Sequence, residues 1–284
     1  TSIGHAPVAG LTDPERGSLL SIAEALTNII WAPLTDGIHS VSLSANWMWP
    51  ARNPGENTRI YKAVKAASDF CCALGINIPT GKDSMSMTQK YRDDVVYAPG
   101  TVIISASGEV SDVKKVAEPV LVNDESKEIL FIDFSFAERA LGGSAFAQSL
   151  NKIGQNAPTV ADTEKFIRAF NTVQKLIEKD LILAGHDIAS GGFITTVLEM
   201  CFSNKKGGMK VDLSGFDEED IIKILFSENP GIVIQCADNE DVKKSLQEND
   251  VEFISLGNAV SYRKLRIVNG AEEIDFDIDS LRDL

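Results

Sequence analysis

The sequence is short of basic residues, since 27 lysines and arginines stand against 41 aspartates and glutamates among its 284 residues, a net charge of -14. Such an excess of negative charge repels a phosphate backbone and argues against a nucleic-acid partner. Apolar runs are short as well, and none reaches the ~20 residues that a membrane span needs. The first residues show no signal-peptide pattern. We therefore expect no membrane partner and a cytoplasmic location.

Histidine and cysteine are also scarce, with three and four copies. No cysteine belongs to a C-x-x-C pair or has a nearby histidine, which argues against a zinc site. The histidines have no partner motif for a nucleophilic triad, so we expect no covalent catalytic residue in this chain. The four cysteines are expected to be buried free thiols: Cys71, Cys72, Cys201 and Cys236.

A Walker A loop is missing too, although the stretch IPTGKDSMSM at residues 78–87 contains a Gly-Lys pair. The P-loop pattern needs a glycine five positions before that glycine, and a serine or threonine after the lysine. Ile76 and Asp83 stand at those two positions. The stretch is therefore predicted to be a turn leading to the next strand, with Met85 and Met87 directed to the core.

The sequence does contain enough apolar residues for a core, 44% of the total. Helical periodicity predicts helices over 12–34, 53–75, 163–179, 190–202 and 240–250. Alternation or short apolar runs predict strands at 37–49, 95–110, 128–134, 181–188, 230–237 and 252–260. Residues 112–127 are charged and lack periodicity, so we place a boundary there between two subdomains of mixed helix and strand, 1–115 and 116–284.

Glu24 and Asn28 form the first candidate site, because a spacing of four places both side chains on one face of a helix. Glu24 also adjoins the apolar stripe, where an unpaired carboxylate is costly. Carboxylate and amide oxygens are ligands that Mg²⁺ prefers. The spacing alone nevertheless favours the plainer alternative, a solvated or capping pair.

The stretch HDIASGG at residues 186–192 forms the second candidate, because it follows an apolar strand and opens a helix. Ligands in α/β proteins bind at such strand ends, and the N–H groups of Ala189 to Gly192 could approach an anion at the helix N-terminus. An ordinary strand-to-helix turn capped by Asp187 or Ser190 explains the pattern equally well. The third candidate is the glycine pair in ALGGSAFAQ at 140–148, which could hold a phosphate, although close helix packing explains paired glycines equally well. Glu228 is more simply structural.

The order of these motifs carries more information than each motif alone. They resemble the phosphoribosylformylglycinamidine synthase family in its large single-chain form, and within it the second of two halves that are similar to aminoimidazole ribonucleotide synthetase. The motifs run along almost the whole chain: AEALTN, SANWM, NPGE, LGINIPTGKDSMSM, LGGSAFAQ, HDIASGG, LFSENPG and DIDSLRDL.

The resemblance implies a ferredoxin-like N-terminal subdomain, with its first strand missing, and an α/β C-terminal subdomain. It implies a C–N ligase that converts formylglycinamide ribonucleotide to the amidine in purine biosynthesis, using ATP, Mg²⁺ and ammonia from glutamine. The implied partners are the remaining domains of one polypeptide, namely the first synthetase half and a glutaminase domain. The chain is then a fragment, expected to be inactive alone and to self-associate through apolar surface that the absent half would cover.

The resemblance also assigns residues. Glu24, Asn28 and Asp187 match Mg²⁺-ligating positions, while Gly81, Lys82 and Ser84 match nucleotide or substrate contacts, with Asp83 a weaker match. The family usually has a serine and an aspartate where this chain has Ala189 and Ser190, so only backbone contacts with nucleotide are expected at Ala189.

Two alternatives stay open at this point. The half could be a non-catalytic scaffold that holds a structural ADP with Mg²⁺. It could instead be an independent ATP-dependent synthetase of the same superfamily, although the chain lacks the glycine-rich N-terminal segment of those enzymes.

Overall fold

The computed structural model describes residues 1–283, and within them the chain forms two mixed sheets and a small hairpin, together with helices. None of the helices in this range is long and apolar enough to cross a membrane. The elements of the first part are β1 (Ser2–His5), α1 (Pro7–Thr12), α2 (Pro14–Ile29), a 3₁₀ turn (Gly37–Ser40), β2 (Ser42–Met48), α3 (Glu56–Leu74), β3 (Asn77–Ser84), β4 (Thr88–Tyr91), β5 (Asp94–Tyr97) and β6 (Thr101–Ser107).

The first sheet has four strands in the order β1-β6-β2-β3. Strands β2 and β3 are parallel and joined by α3, whereas the other two pairs are antiparallel. Leu43 and Ala45 of β2 face inward to α2 and α3, and the residues between them, such as Ser44, face outward. No helix of the described chain covers that outward face, so this sheet has one apolar side and one open side.

Helix α2 carries the first candidate site, and local chemistry determines where it begins. The side chain of Asp13 accepts hydrogen bonds from the first free N–H groups, those of Glu15 and Arg16, and Pro14 occupies the first turn. The helix then passes very close to β1. A Cβ atom on Gly4 would lie 2.1 Å from the carbonyl oxygen of Ser21, so only glycine permits this approach.

The second part builds a seven-stranded sheet in the order β13-β12-β9-β11-β7-β10-β8. Its pairs are antiparallel except for the parallel pair β9–β12. The elements are β7 (Glu128–Asp133), α4 (Ala145–Ser149), α5 (Thr163–Glu178), β8 (Ile182–Asp187), α6 (Gly192–Phe202), β9 (Gly208–Asp212), α7 (Ile221–Phe226), β10 (Gly231–Cys236), α8 (Asn239–Glu248), β11 (Ile254–Val260), β12 (Lys264–Asn269), β13 (Glu272–Asp277) and α9 (Ile278–Arg282).

Strand β7 is covered on both faces. Leu130 and Ile132 pack into the core that contains α5 and α8, while Ile129 and Phe131 pack into the core that contains α6. This explains the unbroken apolar run in the sequence, since a strand buried on both sides has no polar face.

The first of these cores continues into the four-stranded sheet. Phe70 of α3 meets Phe166 of α5 edge-to-face, with 6.0 Å between ring centroids. Residues from both sheets therefore contribute to a single apolar cluster. The expected mixture of helix and strand is confirmed, whereas a subdomain division at residues 115 and 116 stays a prediction.

Several local predictions were wrong. The GKDS residues lie inside β3 rather than in a turn, because β3 pairs in parallel register with β2 along its length. By contrast, the stretch 95–110 was expected to be one long or broken strand, and it is broken, with β5 in the β4–β5 hairpin and β6 in the main sheet. Met85 and Met87 are half-buried rather than in the core, because they follow the end of β3 at the edge of the sheet.

Two further corrections concern helices. Cys72 is exposed, because its neighbour Cys71 takes the inward position on α3, whereas the remaining three thiols are buried as expected. Helix α6 begins at Gly192 rather than Ser190, because Gly191 and Gly192 have φ of 93° and 76°, a left-handed conformation that an α-helix does not continue.

Candidate functional site

A cleft of about 250 Å³ lies where the first helices meet the strand ends of the seven-stranded sheet. Its walls come from the β1–α1 turn, one side of α2, the glycine pair before α4, the turn before α6 and the loop before β10. The residues that line it are His5, Ala6, Pro7, Val8, Ala9, Leu20, Glu24, Thr27, Gly142, Gly143, Gln148, Pro158, Ile188, Ala189, Ser190, Glu228 and Pro230.

Glu24 enters this cleft from α2 and contacts the edge strand of the first sheet. One of its oxygens, Oε2, accepts the backbone N–H of His5 at 2.7 Å. Burial raises the pKa of Glu24 above its ordinary value, the His5 N–H partly offsets this, and the negative charges of Asp187 and Glu228 raise it further. The carboxylate is thus in a site that already has more negative charge than it can neutralise.

Asn28 lies one turn further along α2 and is exposed. Its amide nitrogen donates to the carbonyl oxygen of Ile3 at 3.4 Å. Its amide oxygen accepts no hydrogen bond from the described residues. Glu24 and Asn28 contact alternate residues of β1, as expected for two side chains on one helix face. The capping alternative is therefore correct in part, since both side chains satisfy backbone groups of an edge strand.

Asp187 ends β8 and is buried, with 6% of its surface exposed. Its Oδ1 atom accepts the indole N–H of Trp31 at 3.2 Å and lies 3.5 Å from Nδ1 of His186. The other ring nitrogen of His186 is 2.9 Å from Oε2 of Glu199 on α6. Burial alone would lower the pKa of His186, but Asp187 and Glu199 outweigh it and raise that pKa, which favours a positive charge beside Asp187.

Glu228 connects the two glycine-bearing turns. Its Oε1 atom accepts the backbone N–H of Ala145 and that of Gly191, both at 2.8 Å. Burial raises the pKa of Glu228, and these two N–H groups partly offset that effect. The first N–H groups of α4 and α6 are thereby fixed around one carboxylate, and the Ala189–Ser190 turn is presented to the cleft.

Gly81, Lys82 and Ser84 lie elsewhere. They belong to β3 at the edge of the first sheet, and none of them lines the cleft. Lys82 faces outward beside Asn46 of β2, the residue opposite it in the parallel register. The structure therefore divides the predicted site residues between the cleft region and the open face of the four-stranded sheet.

Of the three predicted metal ligands only Glu24 lines the cleft, whereas Asn28 and Asp187 each adjoin a lining residue in the sequence. Two carboxylates and an amide oxygen suit Mg²⁺ better than a soft metal, and they come from two different parts of the fold. Within residues 1–283, however, no three His, Cys, Asp or Glu side chains come close enough to form a metal cluster by themselves. A cation here would need further oxygen ligands, such as phosphate or water.

Trp31 is a further residue beside the candidate site. It follows Glu24 and Asn28 at spacings of seven and three, which would place it on the same face if α2 continued, but the helix ends at Ile29. No sequence pattern pointed to its acceptor, which lies 156 residues away.

Comparison with known proteins decides the family. Residues 1–109 match the FGAR-AT PurM_N-like domain, and residues 135–268 match the C-terminal domain of AIR synthase related proteins. The whole chain is 35% identical to human phosphoribosylformylglycinamidine synthase and 36% identical to the probable chloroplastic/mitochondrial enzyme of Arabidopsis thaliana. The chain belongs to the phosphoribosylformylglycinamidine synthase family. It covers 22% and 20% of those two relatives, about a fifth of their length.

Solved structures show the same fold. PurL of Thermotoga maritima complexed with FGAR matches with a TM-score of 0.76 and 11% identity, over 99% of this chain and 45% of that one. Its complex with ATP matches with a TM-score of 0.71 and 12% identity, over 99% and 43%. HypE of E. coli, a hydrogenase maturation protein, has a TM-score of 0.61 and 14% identity, over 92% and 79%. The expected AIR-synthase-like fold is confirmed.

Proposed function

We propose that this chain is the second synthetase-like half of a phosphoribosylformylglycinamidine synthase. The complete enzyme would be an ATP-dependent ligase that converts formylglycinamide ribonucleotide and glutamine-derived ammonia to the amidine in purine biosynthesis. In this proposal the chain is inactive alone and contributes a nucleotide site with Mg²⁺. A cytoplasmic location is supported by its four free cysteines, which suit a reducing compartment.

The observation that carries the proposal is that Glu24 lines the cleft beside the Ala189–Ser190 turn, which begins two residues after the buried carboxylate of Asp187. The cleft holds about 250 Å³, below the usual ~300–1,000 Å³ of a small-molecule pocket, so it fits a phosphate group better than a whole nucleotide. The remainder of a nucleotide would extend toward a second half of the protein.

Glu24, Asn28 and Asp187 would hold Mg²⁺ in this proposal, and backbone groups at Ala189 would contact the nucleotide. When bound, Mg²⁺ supplies positive charge to the phosphate oxygens. The chain's own contribution would be to supply carboxylates from two different parts of the fold. The raised pKa of Glu24 supports this, because a bound cation would offset the cost of burying the Glu24 charge and the smaller repulsion from Asp187 and Glu228.

Calorimetric titration of the chain with ADP in the presence of MgCl₂ tests the proposal. The wild-type chain is expected to bind, and Asp187→Ala is expected to lose most of the affinity because it removes a buried ligand. Cys72→Ser is a matched control on the distant helix α3, and it should bind as the wild type does. Wild-type binding that survives in Asp187→Ala would contradict the assignment of the metal site.

A second candidate function is a scaffold half without catalytic nucleotide chemistry. It is favoured by the absence, within the described residues, of a metal cluster complete without added ligands. Failure of both the wild-type chain and Asp187→Ala to bind ADP with Mg²⁺ would support a scaffold that only stabilises the assembly, and would contradict one that holds a structural nucleotide. Ligase activity in the chain alone would contradict both versions, since each requires the other half.

The open face of the four-stranded sheet supports the assignment of the other half as partner. Gly81, Lys82 and Ser84 would contact nucleotide or substrate there. Beside Lys82, the Oδ1 atom of Asn46 is buried and has no hydrogen-bond donor among residues 1–283. The small polar side chains of this face, such as Ser44, suit a second protein surface that forms polar contacts.

Self-association of the chain through this face is the corresponding expectation. Light scattering of the wild-type chain should show species larger than a monomer, and Ser44→Glu at the centre of the face should reduce them by charge repulsion. Ser261→Glu, in the exposed turn between β11 and β12, is the matched control. A clean monomer for the wild type would rule out self-association.

A further inference from the structure

Trp31 makes the hydrogen bond that joins Asp187 to the helix carrying Glu24. The residue lies two positions beyond the end of α2, and its Nε1 atom donates to Oδ1 of Asp187 at 3.2 Å. The donor belongs to the part of the chain that forms the first sheet, and the acceptor is the last residue of β8 in the second sheet. The bond therefore spans the junction on which the candidate metal site depends.

The indole ring is held tightly at this junction. A Cβ atom on Gly185 would lie 2.1 Å from Cζ3 of Trp31, so the six-membered ring fills the space that a side chain at residue 185 would need. The segment Ala117–Glu118 connects the backbones of Trp31 and Gly185. The N–H of Ala117 donates to the carbonyl oxygen of Trp31, and the N–H of Gly185 donates to the carbonyl oxygen of Glu118. The backbone on both sides of the ring is therefore fixed, and the ring packs against Gly185.

The two oxygens of Asp187 are used unequally. Oδ1 accepts the Trp31 N–H and adjoins His186, whereas Oδ2 accepts no hydrogen bond from any residue between 1 and 283. A carboxylate with only 6% exposure would be costly to leave without partners. The indole N–H satisfies one oxygen without bringing a mobile charged side chain to the site, and it leaves the other oxygen available.

We propose that Trp31 is a positioning residue that fixes the Asp187 carboxylate for a divalent cation shared with Glu24. The inference rests on the proposed function, in which Asp187 is a Mg²⁺ ligand. Partners that hydrogen-bond to metal ligands orient them, and loss of such a partner typically lowers metal affinity about 10- to 100-fold. An indole that merely tied the two sheets together would affect stability but not affinity for the cation.

The test compares Trp31→Phe with Trp49→Phe. Trp49 also donates its indole N–H to a carboxylate, Oε2 of Glu56 at 2.7 Å, but Glu56 is not one of the proposed metal ligands. Both changes keep an aromatic ring and remove one indole–carboxylate bond. Calorimetric titration with MgCl₂ at saturating ADP is expected to show about tenfold weaker Mg²⁺ binding for Trp31→Phe, and unchanged binding for Trp49→Phe.

Indole ¹⁵N–¹H spectra give a readout that does not depend on affinity. The chain has three tryptophans, so the Trp31 signal is identified by its loss in Trp31→Phe. It is expected to shift on addition of Mg²⁺ with ADP and to shift in Asp187→Asn, whereas the Trp49 signal should stay in place. Gly185→Ala, which displaces the ring while keeping its N–H, is expected to weaken Mg²⁺ binding as well.

The outcomes separate the two proposals. If Asp187→Ala abolishes Mg²⁺ binding while Trp31→Phe and Gly185→Ala bind as tightly as the wild type, the positioning role of Trp31 is wrong and the proposed metal site stands. If Asp187→Ala binds Mg²⁺ normally, the metal site itself is wrong. Equal losses in Trp31→Phe and Trp49→Phe would show a general stability effect and would overturn the positioning role.

Discussion

The two sheets of this chain differ in how many of their faces are covered. The seven-stranded sheet is covered on both faces, and residues such as Ile132 and Phe131 are buried on opposite sides of one strand. The four-stranded sheet buries Leu43 and Ala45 on one face, while its other face is open. The open face carries small polar residues, including Ser42, Ser44, Ser105 and Ser107.

The residue composition of an exposed sheet face indicates whether the face is an incomplete core or a surface for a partner. An uncovered sheet face rich in leucine or valine would mark an incomplete core and a tendency to aggregate. A face of serine, with Lys82 and the unpaired oxygen of Asn46, instead suits a partner that forms polar contacts. Two residues on this face are apolar. Ile3 is 56% exposed, and Ile103, which pairs with His5 across the strands, is half-buried.

The largest expected effect comes from making the same type of substitution, isoleucine to alanine, once on each sheet. Ile132→Ala on β7 is expected to lower the free energy of unfolding by about 2–5 kcal/mol, because it leaves a cavity in the core shared by both sheets. Ile3→Ala on the open face should change it by less than about 0.5 kcal/mol. Urea unfolding followed by far-UV circular dichroism measures both values. A large loss for Ile3→Ala would mean that the open face is covered in solution.

The strand patterns of the two sheets could be predicted from sequence for the same physical reason. In SLSAN, serine alternates with buried residues, which indicates one covered face, and the continuous run EILFI indicates two. Strand β3 could not be predicted, because its proline, glycine and charged residues are weak strand formers. Its conformation comes from parallel pairing with β2, a tertiary contact that overrides local preference.

The candidate site shows the same limit. The spacing of Glu24 and Asn28 and the position of Asp187 at a strand end are local features, and the sequence contains them in full. The bonds that bring the site together are not local. Glu228 reaches Ala145 across 83 residues and Gly191 across 37 residues, so its role depends on the relative placement of three segments.

Glu228 extends the comparison to the cleft, where α2 contributes the half-buried carboxylate of Glu24 and the loop before β10 contributes that of Glu228. Glu24 accepts one backbone N–H, whereas Oε1 of Glu228 accepts two. Glu228→Ala would leave two N–H groups without an acceptor and is expected to cost about 1–3 kcal/mol. Urea unfolding at pH 7 measures the loss. Stability equal to that of the wild type would mean that water replaces the carboxylate without cost.

Glu228→Gln is the conservative partner of that change and carries the smallest expected effect, a difference in pH dependence. The amide oxygen can accept the same two N–H groups, so the variant should keep the stability that Glu228→Ala loses. The pKa of Glu228 in the folded chain is raised above its ordinary value by burial. Between the unfolded and folded pKa values, the unfolded chain has released a proton that the folded chain retains, so the wild type loses stability as the pH rises through that window.

The glutamine variant has no such proton to release. Its free energy of unfolding, measured between pH 4 and pH 8, should therefore gain on that of the wild type as the pH rises, and the difference should level off above the raised pKa. Loss of the Glu228 charge also removes one of the causes that raise the pKa of Glu24, so the difference reports Glu228 together with its effect on Glu24. A constant difference across this range would show that the charge of Glu228 is fully compensated by the N–H groups of Ala145 and Gly191. The carboxylate would then be a neutral structural link rather than part of the excess negative charge at the cleft.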